Sequence, residues 1–205
     1  MKRASKHEVA PLLDDASIGL EGRIAADDHQ SLKVWLRLLS CSTQVETEIK
    51  KRLRRKLVVV GACIGTDAHT VGIDAILNIK GFAGEKGLEY YREMTVVNLG
   101  AQVLAPDLVN TAREVRADAV LVSQVVTQKD AHIHNTTAMS AAFREAFPAG
   151  QVPLLVVGGP RFEEGTAPAL GVDRIFGRGT TPGEVASYLV HALDQARATT
   201  KEHSP

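Results

Sequence analysis

From Leu57 onward, short apolar runs rich in β-branched residues alternate with segments of helical pattern. The first run, KLVVVGAC, ends at Cys63, and an uninterrupted apolar run of this length is typical of a strand buried on both faces of a parallel sheet. Four further runs predict strands at residues 94–100, 117–126, 152–159 and 173–177. Strands separated by helices favour parallel pairing with right-handed crossovers. The sequence therefore predicts an α/β fold, a flavodoxin-like (Rossmann-like) five-stranded parallel sheet with helices on both faces.

Helical patterns fill the intervals between these strands, at residues 106–117, 135–147, 161–170 and 182–197. The first and the last have a proline in their opening turn, Pro106 and Pro182, where a missing N–H leaves no hydrogen bond unmade. Sheets of this kind bind ligands at the carboxyl ends of their strands. Residues that directly follow each strand are therefore the candidates for a ligand site.

Residues 1–55 are predicted to form an N-terminal extension, and residues 56–205 the main domain. Asp27 or Asp28 is the predicted cap of an amphipathic helix in the extension, whose apolar stripe contains Leu32, Trp35, Leu36, Leu39, Ile49 and Leu53. The basic run KKRLRRK, residues 50–56, closes this segment. We interpret it as a solvated helix end favoured by the helix dipole, with an anionic or nucleic-acid contact as the alternative.

Composition excludes several classes of protein. The formal net charge is zero, which argues against a general nucleic-acid binder. No apolar run approaches the length that spans a membrane. Cys41 and Cys63 form neither a CxxC pair nor a zinc spacing, and no signal peptide is recognisable before them. We therefore expect reduced thiols in a cytoplasmic protein.

The most informative segment follows the first predicted strand. Asp67, His69 and Gly72 have the spacing D-x-H-x-x-G. The histidine can offer one imidazole nitrogen to a metal while Asp67 accepts a hydrogen bond from the other, which fixes the tautomer. Gly72 allows the backbone to approach a large planar ligand. A single histidine after a strand is more often structural, and the triplet at this location favours a metal ligand.

Two later strand ends carry small residues. Ser123 and Val125 form an S-x-apolar pattern after the third strand, and Gly158 and Gly159 follow the fourth. Together they predict a deep slot between the sheet and the helices. The alternatives are a hydroxyl bonded to nearby backbone for Ser123 and a tight strand-to-helix turn for the glycine pair.

These motifs, in this order, resemble those of the cobalamin-binding domain of methionine synthase and of the mutases that bind cobalamin with its own base displaced. The resemblance implies that His69 is the metal ligand, below cobalt, in place of the dimethylbenzimidazole. It implies that Ser123, Gly158 and Gly159 line a slot for the displaced nucleotide tail. Further cofactor contacts are expected from Asp67, Thr70, Val71, Gly72, Val125, Thr127, Phe176, Gly177, Gly179 and Thr180.

Two features depart from the general pattern of that domain. Val125 replaces the usual leucine, and the interval between Gly72 and Ser123 is longer, which indicates an insertion. The segment GTDAHTVGIDAILNIKGFAGEKGLE, with VSQVVTQKDAHIHN and FGRGTTPGEVASYLV further on, resembles the β-subunit family of lysine 5,6-aminomutase. It is similar, more loosely, to ornithine 4,5-aminomutase. The resemblance covers roughly residues 56–195.

In the aminomutase family, a lysine eleven residues beyond the axial histidine binds pyridoxal phosphate covalently, and Lys80 has that position here. Lys80 is followed by Gly81 and Gly84, so its tether can swing, and a desolvated lysine can attack an aldehyde. Its spacing alone also fits a surface lysine that caps a helix. The resemblance favours Lys80 as a catalytic residue that holds pyridoxal phosphate.

The resemblance implies the function of this chain. It would be one subunit of an isomerase, an adenosylcobalamin- and pyridoxal-phosphate-dependent aminomutase that moves an amino group on lysine or a related diamino acid by a radical mechanism. A separate barrel-fold α subunit and an oligomeric assembly are the expected partners, with an amino acid as substrate and neither membrane nor nucleic acid. The alternative is a cobalamin-binding carrier or sensor without catalysis, and a pseudo-enzyme fragment is a third reading.

Two points stay open at the ligand face. His132 and His134 form a possible two-histidine metal site, although polar contacts with a corrin or with solvent are favoured. Either Thr180 or Thr181 could be only a helix cap.

Overall fold

The computed structural model describes residues 42–202, apart from the side chains of residues 164 and 198–202. Its strands are β1 (Leu57–Cys63), β2 (Met94–Asn98), β3 (Ala119–Ser123), β4 (Leu154–Gly158) and β5 (Arg174–Phe176). They form one sheet in the order β2-β1-β3-β4-β5, and all neighbouring strands are parallel. The predicted five-stranded flavodoxin-like sheet is confirmed, and its carboxyl ends lie along one edge.

The helices are α1 (Ser42–Glu48), which continues as a π-helical turn (Ile49–Leu53), α2 (Val71–Leu77), α3 (Ala105–Glu114), α4 (Ala131–Ala146), α5 (Ala167–Leu170) and α6 (Pro182–Glu202). Short 3₁₀ turns occur at Leu88–Tyr90, Gln128–Asp130 and Glu164–Thr166. Helices α3, α4 and α5 pack on one face of the sheet around the buried Phe143 and Met139. On the other face, α2 packs on β1 and β3, and α6 contacts both α1 and α2.

The close packing of α2 on the sheet depends on a glycine in β1. A Cβ atom at Gly61 would lie 2.2 Å from a methyl carbon of Leu77, at the end of α2. Because a larger residue at position 61 would push the helix outward, Gly61 sets the distance between α2 and the strands beneath it.

The end of α1 is fastened to the rest of the fold by charged groups. Arg52 donates to Asp194 of α6 at 2.7 Å, and Arg197 donates to the backbone oxygen of Leu53 at 2.7 Å. Arg55 forms a bidentate pair with the buried Asp118, at the start of β3. Members of the basic run are therefore partly ion-paired within the chain and form more than a solvated helix end. The division at residues 55 and 56 stays a prediction.

Some element boundaries differ from the predicted ones. The predicted helix at 161–170 is wrong for most of its length, because only Ala167–Leu170 is α-helical. Gly165 and Pro168 interrupt the segment, and proline suits only the first turn of a helix. Helix α4 begins at Ala131, earlier than predicted. The predicted helix around residues 32–39 lies outside the described residues. No helix in the described part of the chain is long and apolar enough to cross a membrane.

Candidate functional site

The loop after β1 holds an aspartate and a histidine against each other. The Oδ1 atom of Asp67 lies 2.9 Å from Nδ1 of His69, and the same oxygen accepts the His69 backbone N–H at 2.9 Å. The other carboxylate oxygen accepts the backbone N–H groups of Val125 and Val126, just after β3. The hydrogen bond predicted from the D-x-H spacing is present, and the carboxylate joins the β1 and β3 loops.

The two side chains differ sharply in burial. The Asp67 carboxylate is fully buried, whereas the His69 side chain is 62% exposed. Burial disfavours the charged carboxylate, but three backbone N–H groups and the imidazole favour it more strongly, so the pKa of Asp67 lies below its usual value. A charged carboxylate only accepts hydrogen bonds, so Nδ1 carries the proton. The lone pair of Nε2 is then available to a metal ion.

Cys63, at the end of β1, is a buried free thiol whose Sγ lies 3.2 Å from the backbone oxygen of His69. Burial, followed by the negative charges of Asp67 and Asp74, raises the pKa of Cys63 to about 11. The thiol is therefore neutral near pH 7 and serves as a donor inside the loop. Cys41 lies outside the described residues.

A cavity of about 310 Å³ opens at the carboxyl edge of the sheet, between α2 and the ends of β3, β4 and β5. Its walls are mostly apolar side chains and glycine backbone. Ten of the residues predicted to contact a cofactor line it: Val71, Gly72, Ser123, Val125, Gly158, Gly159, Phe176, Gly177, Gly179 and Thr180. The slot predicted from the small residues at the strand ends is therefore present as a cavity, and the ligand that it receives is a separate question.

Close approaches of backbone shape this cavity. A Cβ atom at Gly72 would lie 2.6 Å from the Oγ atom of Ser123, so the first turn of α2 sits directly on the end of β3. A Cβ atom at Gly159 would lie 2.2 Å from the backbone oxygen of Gln124. At Gly158 the nearest atom would be 3.7 Å away, an ordinary contact. The two adjacent glycines therefore have different roles, which their sequence positions do not reveal.

The remaining five predicted site residues are not among those that line the cavity. Asp67, His69 and Thr70 precede it on the β1 loop, with Thr70 at the start of α2. Thr127 lies at the start of the 3₁₀ turn after β3. Lys80 is exposed beyond the far end of α2, and its backbone N–H donates to Oδ1 of Asn78 at 3.0 Å. His69 and Lys80 therefore lie at opposite ends of one short helix.

The open alternatives can now be separated. The hydroxyl of Thr181 accepts the Glu184 N–H at 3.3 Å, and a Glu184 oxygen accepts the Thr181 N–H at 2.9 Å, which is a capping box at α6. Thr181 is thus the helix cap, and Thr180 lines the cavity. On α4, His132 is buried against Phe162 while His134 is exposed. Residues two apart on a helix do not share a face, so these histidines form no common metal site.

Several residues of the cavity were missed at the level of sequence. They come from α2 and the loop after it, from strands β3 and β4, from the loops after β4 and β5, and from the start of α6. These residues are Ile73, Ala75, Ile76, Phe82, Leu121, Val122, Val156, Val157, Pro160, Arg178 and Val185. Most are apolar, and an apolar stripe on a helix or strand is indistinguishable from core in a single sequence. The sequence pattern also did not indicate a structural role for Gln124, the residue that follows β3. It is buried, and its Nε2 donates to the Ile64 backbone oxygen at 2.7 Å.

A family model described as the B12 binding domain matches residues 57–186, the span that holds β1, the cavity and the first turn of α6. The chain belongs to this family of B12-binding domains. The monomethylamine corrinoid protein of Methanosarcina barkeri has a similar structure, with a TM-score of 0.50 and 14% identity over 75% of this chain and 64% of that one. At this identity, the similarity shows the fold alone.

Two curated proteins are more similar in sequence. The lysine 5,6-aminomutase β subunit of Acetoanaerobium sticklandii is 45% identical over 156 residues, which cover 74% of this chain and 57% of that subunit. The corresponding subunit of Fusobacterium nucleatum is 42% identical over 170 residues, 82% of this chain and 64% of that subunit. The resemblance inferred from the motifs is confirmed. The chain spans less than two thirds of either relative.

Proposed function

We propose that this chain is the cobalamin-binding subunit of an aminomutase and that His69 is the protein ligand of the cobalt. The observation that carries the proposal is the Asp67–His69 pair, a buried charged carboxylate behind an exposed imidazole, on the loop that leads into α2, and the start of α2 lines an apolar cavity. Metal-binding histidines are commonly oriented by such a carboxylate on their second nitrogen. The sequence similarity to aminomutase β subunits supports the choice of enzyme class.

The residues present fit cobalamin in two respects. The cavity of about 310 Å³ is of the size that proteins use for organic groups, and its apolar walls suit an aromatic base such as dimethylbenzimidazole. Gly72 and Gly159 let the backbone of α2 and of the loop after β4 approach the end of β3 closely, because a side chain at either position would collide with it. A histidine ligand beside a slot for the displaced base is the arrangement that base-off binding needs.

The chain's own residues have defined tasks in this proposal. When bound, adenosylcobalamin supplies a carbon-centred radical through homolysis of its cobalt–carbon bond. Asp67 accepts the hydrogen bond of Nδ1 of His69, which orients the ring and directs Nε2 of the neutral imidazole toward the metal. The apolar cavity walls keep water from the displaced base. Cys63, held as a neutral thiol, keeps the His69 backbone in place.

Lys80 is the proposed site of pyridoxal phosphate, a cofactor that supplies an electron sink for reactions at an amino-bearing carbon. The backbone at Lys80 is anchored by two hydrogen bonds, from the Lys80 N–H to Asn78 and from the Ile79 N–H to Glu89, each at 3.0 Å. The lysine side chain itself is exposed. An anchored backbone with a free amine suits a residue that must reach a reaction centre on another subunit.

We assign the rest of the active site to a separate barrel-fold α subunit in an oligomeric, cytoplasmic complex, with lysine or a related diamino acid as substrate. The support is that the curated relatives carry the name of a β subunit. Mixing this chain with a cognate α subunit and both cofactors should isomerise D-lysine or β-lysine. Cobalamin binding with no isomerisation in that mixture would instead favour the alternative, a carrier or sensor.

The ligand assignment is tested by the visible spectrum of the chain with adenosylcobalamin. The wild type and a His134→Ala control, which changes an exposed histidine on α4, should give the base-off, histidine-bound spectrum. His69→Ala should lose that spectrum and bind cobalamin more weakly by more than about 100-fold, because even substitutions behind a ligand cost about 10- to 100-fold. An unchanged spectrum in His69→Ala would exclude His69 as the ligand.

The lysine assignment is tested by reducing the chain with borohydride in the presence of pyridoxal phosphate and mapping the modified peptide. Lys80→Arg keeps the positive charge but cannot form the covalent link, so the adduct should disappear. Lys86→Arg is the matched control, since Lys86 is exposed on the same loop and lies near the Tyr90 ring. An adduct that survives in Lys80→Arg and disappears in Lys86→Arg would overturn the assignment of Lys80.

A further inference from the structure

The loop that carries Lys80 is closed on itself. The N–H of Phe82 donates to the Glu85 oxygen at 3.0 Å, and the N–H of Glu85 donates back to the Phe82 oxygen at 3.0 Å. Gly81 has a φ of +71°, and a Cβ atom there would lie 1.8 Å from the backbone oxygen of Glu85. A Cβ atom at Gly87 would lie 1.9 Å from the Asn78 oxygen. Residues 78–87 therefore form one closed loop, in which Glu85 and the backbone next to Lys80 lie in close contact.

One side chain ties this loop to a distant part of the chain. The Glu85 carboxylate accepts the backbone N–H of Gly183 at 2.8 Å, across 98 positions of sequence. Gly183 lies in the first turn of α6, where N–H groups have no partner within the helix and the helix dipole favours a negative charge. The loop is thus attached to the amino end of α6 through a charged hydrogen bond, the stronger kind.

The two segments that carry the partners of this hydrogen bond both line the cavity. Phe82 of the loop and Val185 of α6 line it, as do Gly179 and Thr180 just before α6. The Phe82 side chain is 44% exposed, while Val185 is buried. A base that fills the cavity would contact both walls and cover Phe82. Its binding would therefore act on the loop and on α6 at the same time.

We propose that Glu85 is a positioning residue that couples occupation of the cavity to the placement of Lys80. The inference rests on the proposed function, in which the cavity takes the nucleotide tail of cobalamin and Lys80 takes pyridoxal phosphate. When the tail is in place, Phe82 and the start of α6 are held against it, and Glu85 fixes the loop to that helix. Binding of cobalamin with its tail inserted therefore holds Lys80 in one position. Without the inserted tail, Lys80 is not held in this way.

The test compares cobalamin with cobinamide, which has the corrin and cobalt but lacks the nucleotide tail. Amide hydrogen exchange of residues 78–87 is followed in the full chain with each compound, while the visible spectrum reports whether cobalt is bound to the protein. In the wild type, cobalamin should slow exchange in this loop about tenfold more than cobinamide does, which is within the range usual for coupling between two sites.

Variants of two carboxylates that hold this loop, Glu85 within it and Glu89 in the 3₁₀ turn that follows, separate coupling from simple loop stability. Glu85→Ala should bind cobalamin with the wild-type spectrum but lose the difference between the two compounds, whereas Glu85→Gln, whose amide oxygen can still accept from Gly183, should recover part of it. Glu89→Gln is the matched control, because Glu89 holds the Ile79 N–H and has no bond to α6, and it should keep the difference. The yield of the reduced pyridoxal-phosphate adduct at Lys80 should follow the same order.

Three results would overturn the inference. Equal loop protection by cobalamin and cobinamide in the wild type would mean that the tail does not act on the loop. A difference that persists undiminished in Glu85→Ala would mean that another contact transmits it. A spectrum showing that the protein supplies no ligand to the cobalt of cobalamin would refute the proposed function and, with it, this inference. The first two outcomes leave cobalamin binding intact and refute the coupling alone.

Discussion

The two loops at the ends of α2 hold their functional side chains in different ways. At the start of the helix, His69 is backed by a buried carboxylate that receives four hydrogen bonds from two loops. Beyond its end, Lys80 is exposed, and the described hydrogen bond of this residue is made by its backbone N–H. One loop fixes a side chain, and the other fixes only the backbone from which a side chain extends.

This difference matches the chemistry proposed for each residue. A metal ligand binds well when its ring orientation and tautomer are set before the metal arrives. A lysine that forms and releases a covalent link needs a side chain that can change its position. In the proposed function, the hydrogen bonds around Asp67 would prepare His69 for cobalt, and the exposed side chain of Lys80 would be free to exchange its covalent link.

The largest effect should come from removing the Asp67 carboxylate. Asp67→Ala removes a charged acceptor that the N–H groups of Val125, Val126 and His69 share, and we expect it to lower the free energy of unfolding by about 3–5 kcal/mol, since a hydrogen bond to a charged group contributes about 1.5–3 kcal/mol. Urea denaturation, compared with Asp74→Ala at a half-buried position on α2, measures the loss. A change no larger than in the Asp74 variant would show that the His69 loop is not held by this carboxylate.

A smaller effect is expected at the glycine that contacts the same β3 loop. Gly159→Ala brings a methyl group against the Gln124 backbone, next to the Val125 N–H that binds Asp67, and should cost about 1–3 kcal/mol. Gly158→Ala is the neighbouring control and should cost less than about 0.5 kcal/mol, since its methyl group has room. Thermal unfolding of both variants gives the comparison, and equal losses would contradict the difference found between the two glycines.

Acid should weaken the loop that holds His69. The pKa of Asp67 is lower in the folded chain than its ordinary value of 3.8, so the unfolded chain binds more protons at low pH. The resulting stability is present above pH 3.8 and is lost as the pH falls through the folded-state pKa. Urea titrations at a series of pH values should show a shallower acid dependence in Asp67→Asn than in the wild type. Parallel curves would contradict the lowered pKa.

The smallest effect should come from Lys80 itself. Lys80→Ala removes an exposed side chain and should change the free energy of unfolding by less than about 0.5 kcal/mol. The same urea titration measures it, with cobalamin binding followed in parallel and expected to stay near the wild-type value. A loss of several kcal/mol would mean that Lys80 is a structural residue and that the two loops are alike.

The sheet could be predicted from sequence because its central strands are continuous apolar runs, and a strand such as β1 (Leu57–Cys63) is recognisable without any tertiary information. The end of β3 was not predictable to the residue. Val125 and Val126 continue the apolar run, yet their N–H groups turn away from the sheet to bind Asp67. That contact joins residues far apart in the chain, and no local pattern reports it.

The candidate site was predictable where polar or glycine residues break an apolar run, as at His69 and Gly158. Its helical wall was not, because Ile73 and Ile76 have the spacing of an ordinary buried helix face. The link from Glu85 to Gly183 was equally hidden, since a glutamate in a turn has the appearance of a solvated charge. What sequence omits here is the set of contacts between distant loops.

His69 is the proposed source of the axial nitrogen on cobalt. The most direct measurement is the electron paramagnetic resonance spectrum of the one-electron-reduced cobalamin bound to protein labelled with ¹⁵N at histidine, because the unpaired electron couples to the axial nitrogen nucleus. If His69 is the axial ligand, the nitrogen splitting changes when the protein is labelled, and this change is absent in His69→Ala. A splitting that is the same with labelled and unlabelled protein would show that the cofactor's own base stays on cobalt and would exclude His69 as the ligand.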